Sequence, residues 1–322
     1  KPLLTSLLDG YNVCIMAYGQ TGSGKTHTMM GSHSLDEHSR TQQEAQTQGI
    51  IPKAAVELFR LISEKPSDSH TVEVSVMEVY NNEVFDLLAR DKHGNVTGQH
   101  RDIVTTSSGA IQITSLTYEP VRSPSEVMQA VNSVQKLRAH CPTLVHADSS
   151  RSHLIVTLTI SSKSPNALAL GETHSCTGFS ASSPCPSPSY SPCPSPRHSI
   201  SQTPFRTKLQ LVDLAGSECV GMSGVSGAAL WEVSCINRSL SALSDVLGAL
   251  AEQRPHVPYR NSKLTHLLQD SIGGDAKLLV MLCVSPTQRF ITESLQSLGL
   301  GTRARQVHKE LPRKKNTPLK VR

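Results

Sequence analysis

Apolar and polar positions along this chain repeat with two periods. Thr71 to Tyr80 (TVEVSVMEVY) and Ala110 to Tyr118 alternate strictly, the period of half-buried strands. Tyr11 to Tyr18 (YNVCIMAY) and Lys277 to Val284 (KLLVMLCV) are short apolar runs of the buried-strand type. Leu154 to Ser162 (LIVTLTISS) and Lys208 to Val212 (KLQLV) predict two further strands. Asn81-Asn82 predicts a turn, with Glu83 to Leu88 continuing into the core. Helical spacing appears in Ile50 to Ser63, where Ile51, Ala54, Ala55, Leu58, Leu61 and Ile62 fall on one face. It recurs in Leu230 to Glu252, at positions 233, 236, 240, 243, 247 and 250. Pro2 to Leu8, Val127 to Ala139, Leu264 to Asp270 and Glu293 to Val307 complete the predicted helices. Asp9-Gly10 stops the first, and Ser123-Pro124-Ser125-Glu126 starts the second. Strands alternating with helices predict an α/β fold, a three-layer α/β/α sandwich around a mostly parallel central sheet.

Two segments break the pattern. Ser32 to Gly49 is polar and Gln-rich, as a surface loop is. Residues 163–206 hold a Ser/Pro-rich, nearly uncharged stretch from Ser164 to Pro204 that is poor in large apolar residues. Such a stretch buries too little surface to offset its ordering entropy, so a disordered insert is expected. It carries six Ser-Pro or Thr-Pro steps, at Ser164, Ser183, Ser187, Ser191, Ser195 and Thr203. Composition bias and proline-directed phosphorylation both account for them. Residues 308–322 form a basic tail, with Arg313 to Arg322 expected to fray.

The 322 residues, 37% of them hydrophobic, supply ample core for a large α/β domain. A net charge of +5 does not mark a nucleic-acid binder. No apolar run reaches the ~18 residues that a membrane-spanning helix needs. The eight cysteines contain no C-x-x-C pair, which fits intracellular thiols better than a disulfide framework or a zinc site. Cys185, Cys193 and His198 lie close together, but in low-complexity sequence that weighs against a metal site.

What changes the picture is Gly19-Gln20-Thr21-Gly22-Ser23-Gly24-Lys25-Thr26. Two glycines with four residues between them, then Lys and Thr, fit the phosphate-binding loop. A predicted strand precedes it and a helix follows, which is the context the chemistry requires. Glycine lets the backbone curl until its N–H groups converge on a phosphate. Lys25 would neutralise the β- and γ-phosphates, and the Thr26 hydroxyl would ligate Mg2+.

Further stretches follow in order: Asp148-Ser149-Ser150-Arg151-Ser152-His153, Leu211-Val212-Asp213-Leu214-Ala215-Gly216-Ser217-Glu218, Ile236-Asn237-Arg238-Ser239-Leu240 and Pro258-Tyr259-Arg260-Asn261-Ser262-Lys263-Leu264-Thr265. Together with the loop they resemble the kinesin motor domain from about Pro2 to Val307, interrupted only by the insert. The resemblance implies a motor domain over residues 1–307 that binds ATP and Mg2+ and acts on microtubules. Gly19 to Thr26 would hold the nucleotide, and His27 resembles the residue lying against its adenine. Ser149 and Ser150 resemble the first switch, with Ser150, Thr26 and Asp213 as the metal-side residues. Gly216 resembles the second-switch glycine, and Arg151 with Glu218 the ion pair that closes the two switches. Asn237 resembles a residue coupling the long helix to the switches. Arg238, Arg260 and Lys263 would meet tubulin. Neither nucleic acid nor membrane insertion is implied. The expected place is the cytoplasmic microtubule cytoskeleton, spindle or centrosome included.

The chain also departs from the family. No Arg-x-Arg-Pro strand stands before Gly10, which reads as an N-terminally incomplete motor. His146 stands where the family has Asn. Ala229 and Trp231 replace two cations at the start of the long helix, and position 219, often basic, is Cys. The Tyr11-Asn12-Val13-Cys14-Ile15 opening is most similar to the C-terminal-motor subfamily. The expected activity is an ATP-dependent microtubule motor, a microtubule-activated ATPase. The alternative is a non-motile, nucleotide-dependent microtubule-binding or scaffold protein with weak ATPase. No heptad run predicts an oligomer.

Overall fold

A computed structural model describes residues 1–32, 48–66, 69–107, 109–140, 151–163, 205–218, 227–274 and 276–307. The elements run α1 (Pro2–Leu8), β1 (Val13–Tyr18), α2 (Lys25–Met30), α3 (Ile50–Ser63), β2 (His70–Tyr80), β3 (Glu83–Asp86), β4 (Gln99–Arg101), β5 (Ile103–Thr105), β6 (Ile111–Ile113) and β7 (Glu119–Val121). Then follow α4 (Pro124–His140), β8 (His153–Ser162), β9 (Phe205–Asp213), α5 (Ala228–Ala251), α6 (Lys263–Leu267), α7 (Gln269–Ile272), β10 (Lys277–Leu282) and α8 (Ile291–Arg305).

The main sheet has the order β10-β1-β9-β8-β2-β3-β4, with β7 added to β2. Among the described residues only β10, β1 and β9 run parallel to one another. From β9 outward the pairs are antiparallel, so the sheet is mixed rather than mostly parallel. The connections explain why. A hairpin makes an antiparallel pair, and parallel pairs need a long crossover. Asn81 and Asn82, at φ 50° and 61°, both adopt the left-handed conformation and join β2 to β3 in two residues. Asn tolerates that region, and two such residues suit a tight hairpin. Strands β8 and β9 pair along their length, from Leu154↔Asp213 to Ser162↔Phe205.

Alternation along the strands makes the layers. In β1, Val13, Ile15 and Ala17 enter one core, with Leu4, Leu7, Met29, Leu58, Val127 and Val131 from α1 to α4. Cys14, Met16 and Tyr18 enter the other, with Ile236, Leu243, Leu247, Leu264 and Leu300 from α5, α6 and α8. The period of two along a strand divides consecutive residues between the faces, so the three-layer sandwich is built as expected.

Three expectations change. Ala110 to Tyr118 is not one strand. Only Ile111–Ile113 pairs, with Ile103–Thr105 in a separate ribbon, and Ser115 at φ 49° turns the chain away. Alternation cannot reveal whether a partner lies alongside. Lys277–Val284 is not a fully buried strand. It forms an edge of the sheet, with Leu279 and Val284 37% and 43% exposed. The insert is also narrower than 163–206, because the Lys163 N–H donates to the Ser69 carbonyl and Phe205–Arg206 belong to β9. Residues 33–47, 164–204 and 308–322 lie outside the described residues, and with them the Ser/Pro steps, Cys185, Cys193, His198 and the basic tail.

Leu158 is fully buried in a central strand, whereas Leu295 is 61% exposed on α8. Leu158→Ala is expected to cost about 2–5 kcal/mol. Leu295→Ala should stay within about 0.5 kcal/mol. Urea midpoints at constant slope check both.

Candidate nucleotide site

Strand β1 ends at Tyr18 and the chain turns at once into the glycine loop. Gly19, at φ 155°, has no room for a side chain: a Cβ there would stand 2.1 Å from the Cys283 carbonyl oxygen. Gly22 and Gly24, at φ 78° and 91°, hold left-handed conformations that side chains disfavour. Gln20, 4% exposed, holds the loop's shape from inside. Its carbonyl accepts from Ser23 Oγ at 2.7 Å and from Lys25 Nζ at 2.8 Å. Lys25 is itself buried. Burial lowers its pKa, while the Asp213 and Glu218 carboxylates and Cys283 act in the opposite direction. A buried ammonium beside a glycine cradle is a counter-charge for phosphate.

The parallel register Ala17↔Asp213 places the end of β9 beside the end of β1. Asp213, 2% exposed, therefore meets the loop, and Thr26 Oγ1 donates to its Oδ2 at 2.8 Å across 187 residues of sequence. Hydroxyl and carboxylate oxygens are the hard donors that Mg2+ selects. The set fits a magnesium–nucleoside triphosphate: Thr26 and Asp213 would hold the ion, Lys25 and the loop N–H groups the phosphates. The ion, when bound, neutralises charge on the phosphates. Among the described residues no cluster of three His, Cys, Asp or Glu is arranged to hold a metal. His27 is exposed on α2, next to the loop.

The Asp213–Glu218 stretch also reaches the loop. The Ser217 N–H donates to the Gly19 carbonyl at 3.1 Å. Glu218 accepts from the Thr21 N–H at 2.8 Å and from Thr21 Oγ1 at 2.6 Å. A Cβ on Gly216 would stand 2.2 Å from Thr21 Oγ1 and 2.3 Å from Glu218 Oε2, so the contact requires glycine. The expected Arg151–Glu218 pair is not formed in this arrangement. Arg151 Nη1 instead donates to Glu232 Oε2 at 3.3 Å, on α5. Each group has taken another partner, because Glu218 is occupied by the two donors of Thr21. Ser149, Ser150 and His146 lie outside the described residues.

His153, which ends the Asp148–His153 stretch and is given no role there, links two elements in the fold. His153, 2% exposed, accepts from the Ala215 N–H through Nδ1 at 3.0 Å. That fixes the proton on Nε2, which donates to Ser239 Oγ at 2.7 Å on α5. A buried bridge thus runs from the residue before Gly216 to the long helix. Asn237, the expected coupling residue, is half-buried nearby on that helix. The signal for His153 was a histidine standing directly before three apolar strand residues, Leu154, Ile155 and Val156.

Arg238 and Arg260 are exposed and Lys263 is half-buried, on α5 and on the turn and helix packed against it. Burial lowers the His266 pKa, and Arg260 and Lys263 lower it further, so these two cations lie on the side of that ring.

A glycine cradle at the end of a parallel strand, with a hydroxyl–carboxylate pair beside it, defines a phosphate-loop nucleotide-binding protein. This chain belongs to the kinesin family, whose motor-domain model matches residues 1–307. A kinesin-like protein KIF25 of Macaca fascicularis is 54% identical over 331 residues, covering 98% of this chain and 55% of that protein. The KIF25 of Homo sapiens is 53% identical, with 98% and 84% covered. The kinesin-like protein KIN-14E of Oryza sativa subsp. japonica is 38% identical over 95% of this chain and 24% of its own length. The chain thus spans about half of the macaque relative and a quarter of the plant one. Among solved structures, a fast kinesin is similar with TM-score 0.73 and 32% identity, over 99% of this chain and 78% of that one. A KIF14 dimer with AMP-PNP in complex with a microtubule gives 0.72 and 31%, over 95% and 74%.

Lys25→Ala is expected to lower ATP turnover by about a hundredfold or more, since the phosphates lose a buried counter-charge. Phosphate release at saturating Mg·ATP measures it. Wild-type turnover in this variant would refute the site.

Proposed function

We propose that this chain is an ATP-driven microtubule motor domain. ATP and Mg2+ occupy the Gly19–Thr26 loop, Thr26 and Asp213 serve the ion, and Gly216 and Glu218 form the second switch. Arg151, with Ser149 and Ser150, belongs to the first switch. Arg238, Arg260 and Lys263 contact tubulin, and His27 lies against the adenine. The observation that carries the reading is the joining of the loop, the Asp213 carboxylate and the Gly216–Glu218 stretch into one site whose far side is the long helix. A nucleotide that alters the Glu218–Thr21 contact acts on a network reaching that helix through His153 and Ser239. Family membership and the microtubule-bound relative support the partner. The working place is then the cytoplasmic microtubule cytoskeleton, with spindle or centrosome as the finer assignment.

One observation favours the second reading, nucleotide-dependent binding without movement. The exposed stripe of α5 runs Leu230, Trp231, Ser234, Arg238, Ser241 and Asp245. Its one cation is offset by one anion, so attraction to an acidic lattice is weak along this stripe. ATP turnover with and without polymerised microtubules separates the readings. Stimulation is expected for the motor, and retained co-sedimentation with a flat rate is the mark of the binding protein. Arg260→Ala and Lys263→Ala should each raise the microtubule concentration for half-maximal stimulation severalfold, about the loss of one surface ion pair. An unchanged value in both would remove these residues from the interface.

A further inference from the structure

Tyr80 ends β2, and the left-handed Asn81-Asn82 turn carries the hairpin toward the layer of the long helix. There the Asn82 Oδ1 accepts from the Lys263 N–H at 3.0 Å. The Tyr80 hydroxyl donates to Glu232 Oε1, while Glu232 Oε2 accepts from Arg151 at 3.3 Å. Glu232 is only 6% exposed, although Leu230 and Trp231 beside it are 40% and 64% exposed. A carboxylate so placed needs its partners, because a buried charge left bare is costly.

Resting on the reading of Arg151 and Glu218 as the switch pair, we propose that Glu232 is a positioning residue that parks the Arg151 guanidinium away from Glu218, and that Tyr80 is a positioning residue that keeps Glu232 hydrogen-bonded once the guanidinium leaves. The switch pair then forms only when Arg151 changes carboxylates. There is one guanidinium for two carboxylates. In this structure Glu232 holds it, and Glu218 is satisfied by the N–H and hydroxyl of Thr21. After the exchange Arg151 meets Glu218, the Thr21 N–H is released to the phosphate side of the loop, and Glu232 keeps the Tyr80 hydroxyl alone. Burial and the Glu232 carboxylate push the Tyr80 pKa up to about 12, so that donor persists at working pH. Glu232 rides on the long helix, which makes the exchange responsive to what the helix binds.

The two residues act with opposite signs. Glu232→Gln keeps the size and removes the competing charge, so turnover without microtubules should rise about tenfold, the weight of one charge-assisted hydrogen bond. Tyr80→Phe leaves Glu232 bare after the exchange, so turnover without microtubules should fall severalfold. In the Glu232→Gln background, Tyr80→Phe should have no further effect. A residue that merely supported the fold would lower the rate in both variants. A rate at or below wild type in well-folded Glu232→Gln overturns the proposal. If that variant does not fold, an unchanged or raised rate in Tyr80→Phe overturns it. Trp231, the single tryptophan, neighbours Glu232 and gives a second readout. Its emission on titration with Mg·ATP should shift at lower nucleotide in Glu232→Gln than in wild type. A wild-type chain without turnover but with that emission change would refute the motor reading, and the emission midpoints alone would decide the latch.

Discussion

The parallel contact between β1 and β9 is the constraint on which the site depends. Its register sets Ala17 opposite Asp213 and so delivers a carboxylate to the phosphate loop. A slip of one residue would turn Asp213 to the opposite face. The strands around it keep that register because their alternate residues are divided between two cores. Leu209 and Leu211 enter one and Val212 the other, and both cores are closed by helices. Burial on both faces leaves the pair no alternative alignment of similar energy.

From that register outward, the site is a set of polar groups that satisfy one another. Lys25 is held by the Gln20 carbonyl, Thr26 by Asp213, Glu218 by Thr21 and Arg151 by Glu232. Lys25, Asp213 and Glu232 are buried, where an unpaired charge is costly. Because His153 ties the Asp213–Gly216 segment to Ser239, and Glu232 ties Arg151 to the same helix, two separate contacts connect the nucleotide side to α5.

The strongly periodic elements were legible without any structure. The 3.6-residue patterns of Ile50–Ser63 and Leu230–Glu252 meet helices at Ile50–Ser63 and Ala228–Ala251, and the apolar run before the glycine loop meets the strand Val13–Tyr18. The ribbon around Ile111 and the edge position of Lys277–Leu282 were not legible. Alternation and apolar content report what a segment is fit to bury, and pairing decides whether anything is there to cover it.

By itself the amino-acid sequence determined the glycine loop, its lysine and threonine, and the three-layer class, because each follows from local spacing and residue chemistry. The tertiary structure alone decided which carboxylate meets which donor. Arg151 has an acidic partner in Glu218 on a motif reading and in Glu232 in the fold, and Thr21 holds Glu218. It also turned the expected mostly parallel sheet into a mixed one and gave His153 its place between Ala215 and the long helix. The reason is physical. Partner choice among distant polar groups depends on strand register, hairpin closure and burial, which exist only once the chain is packed.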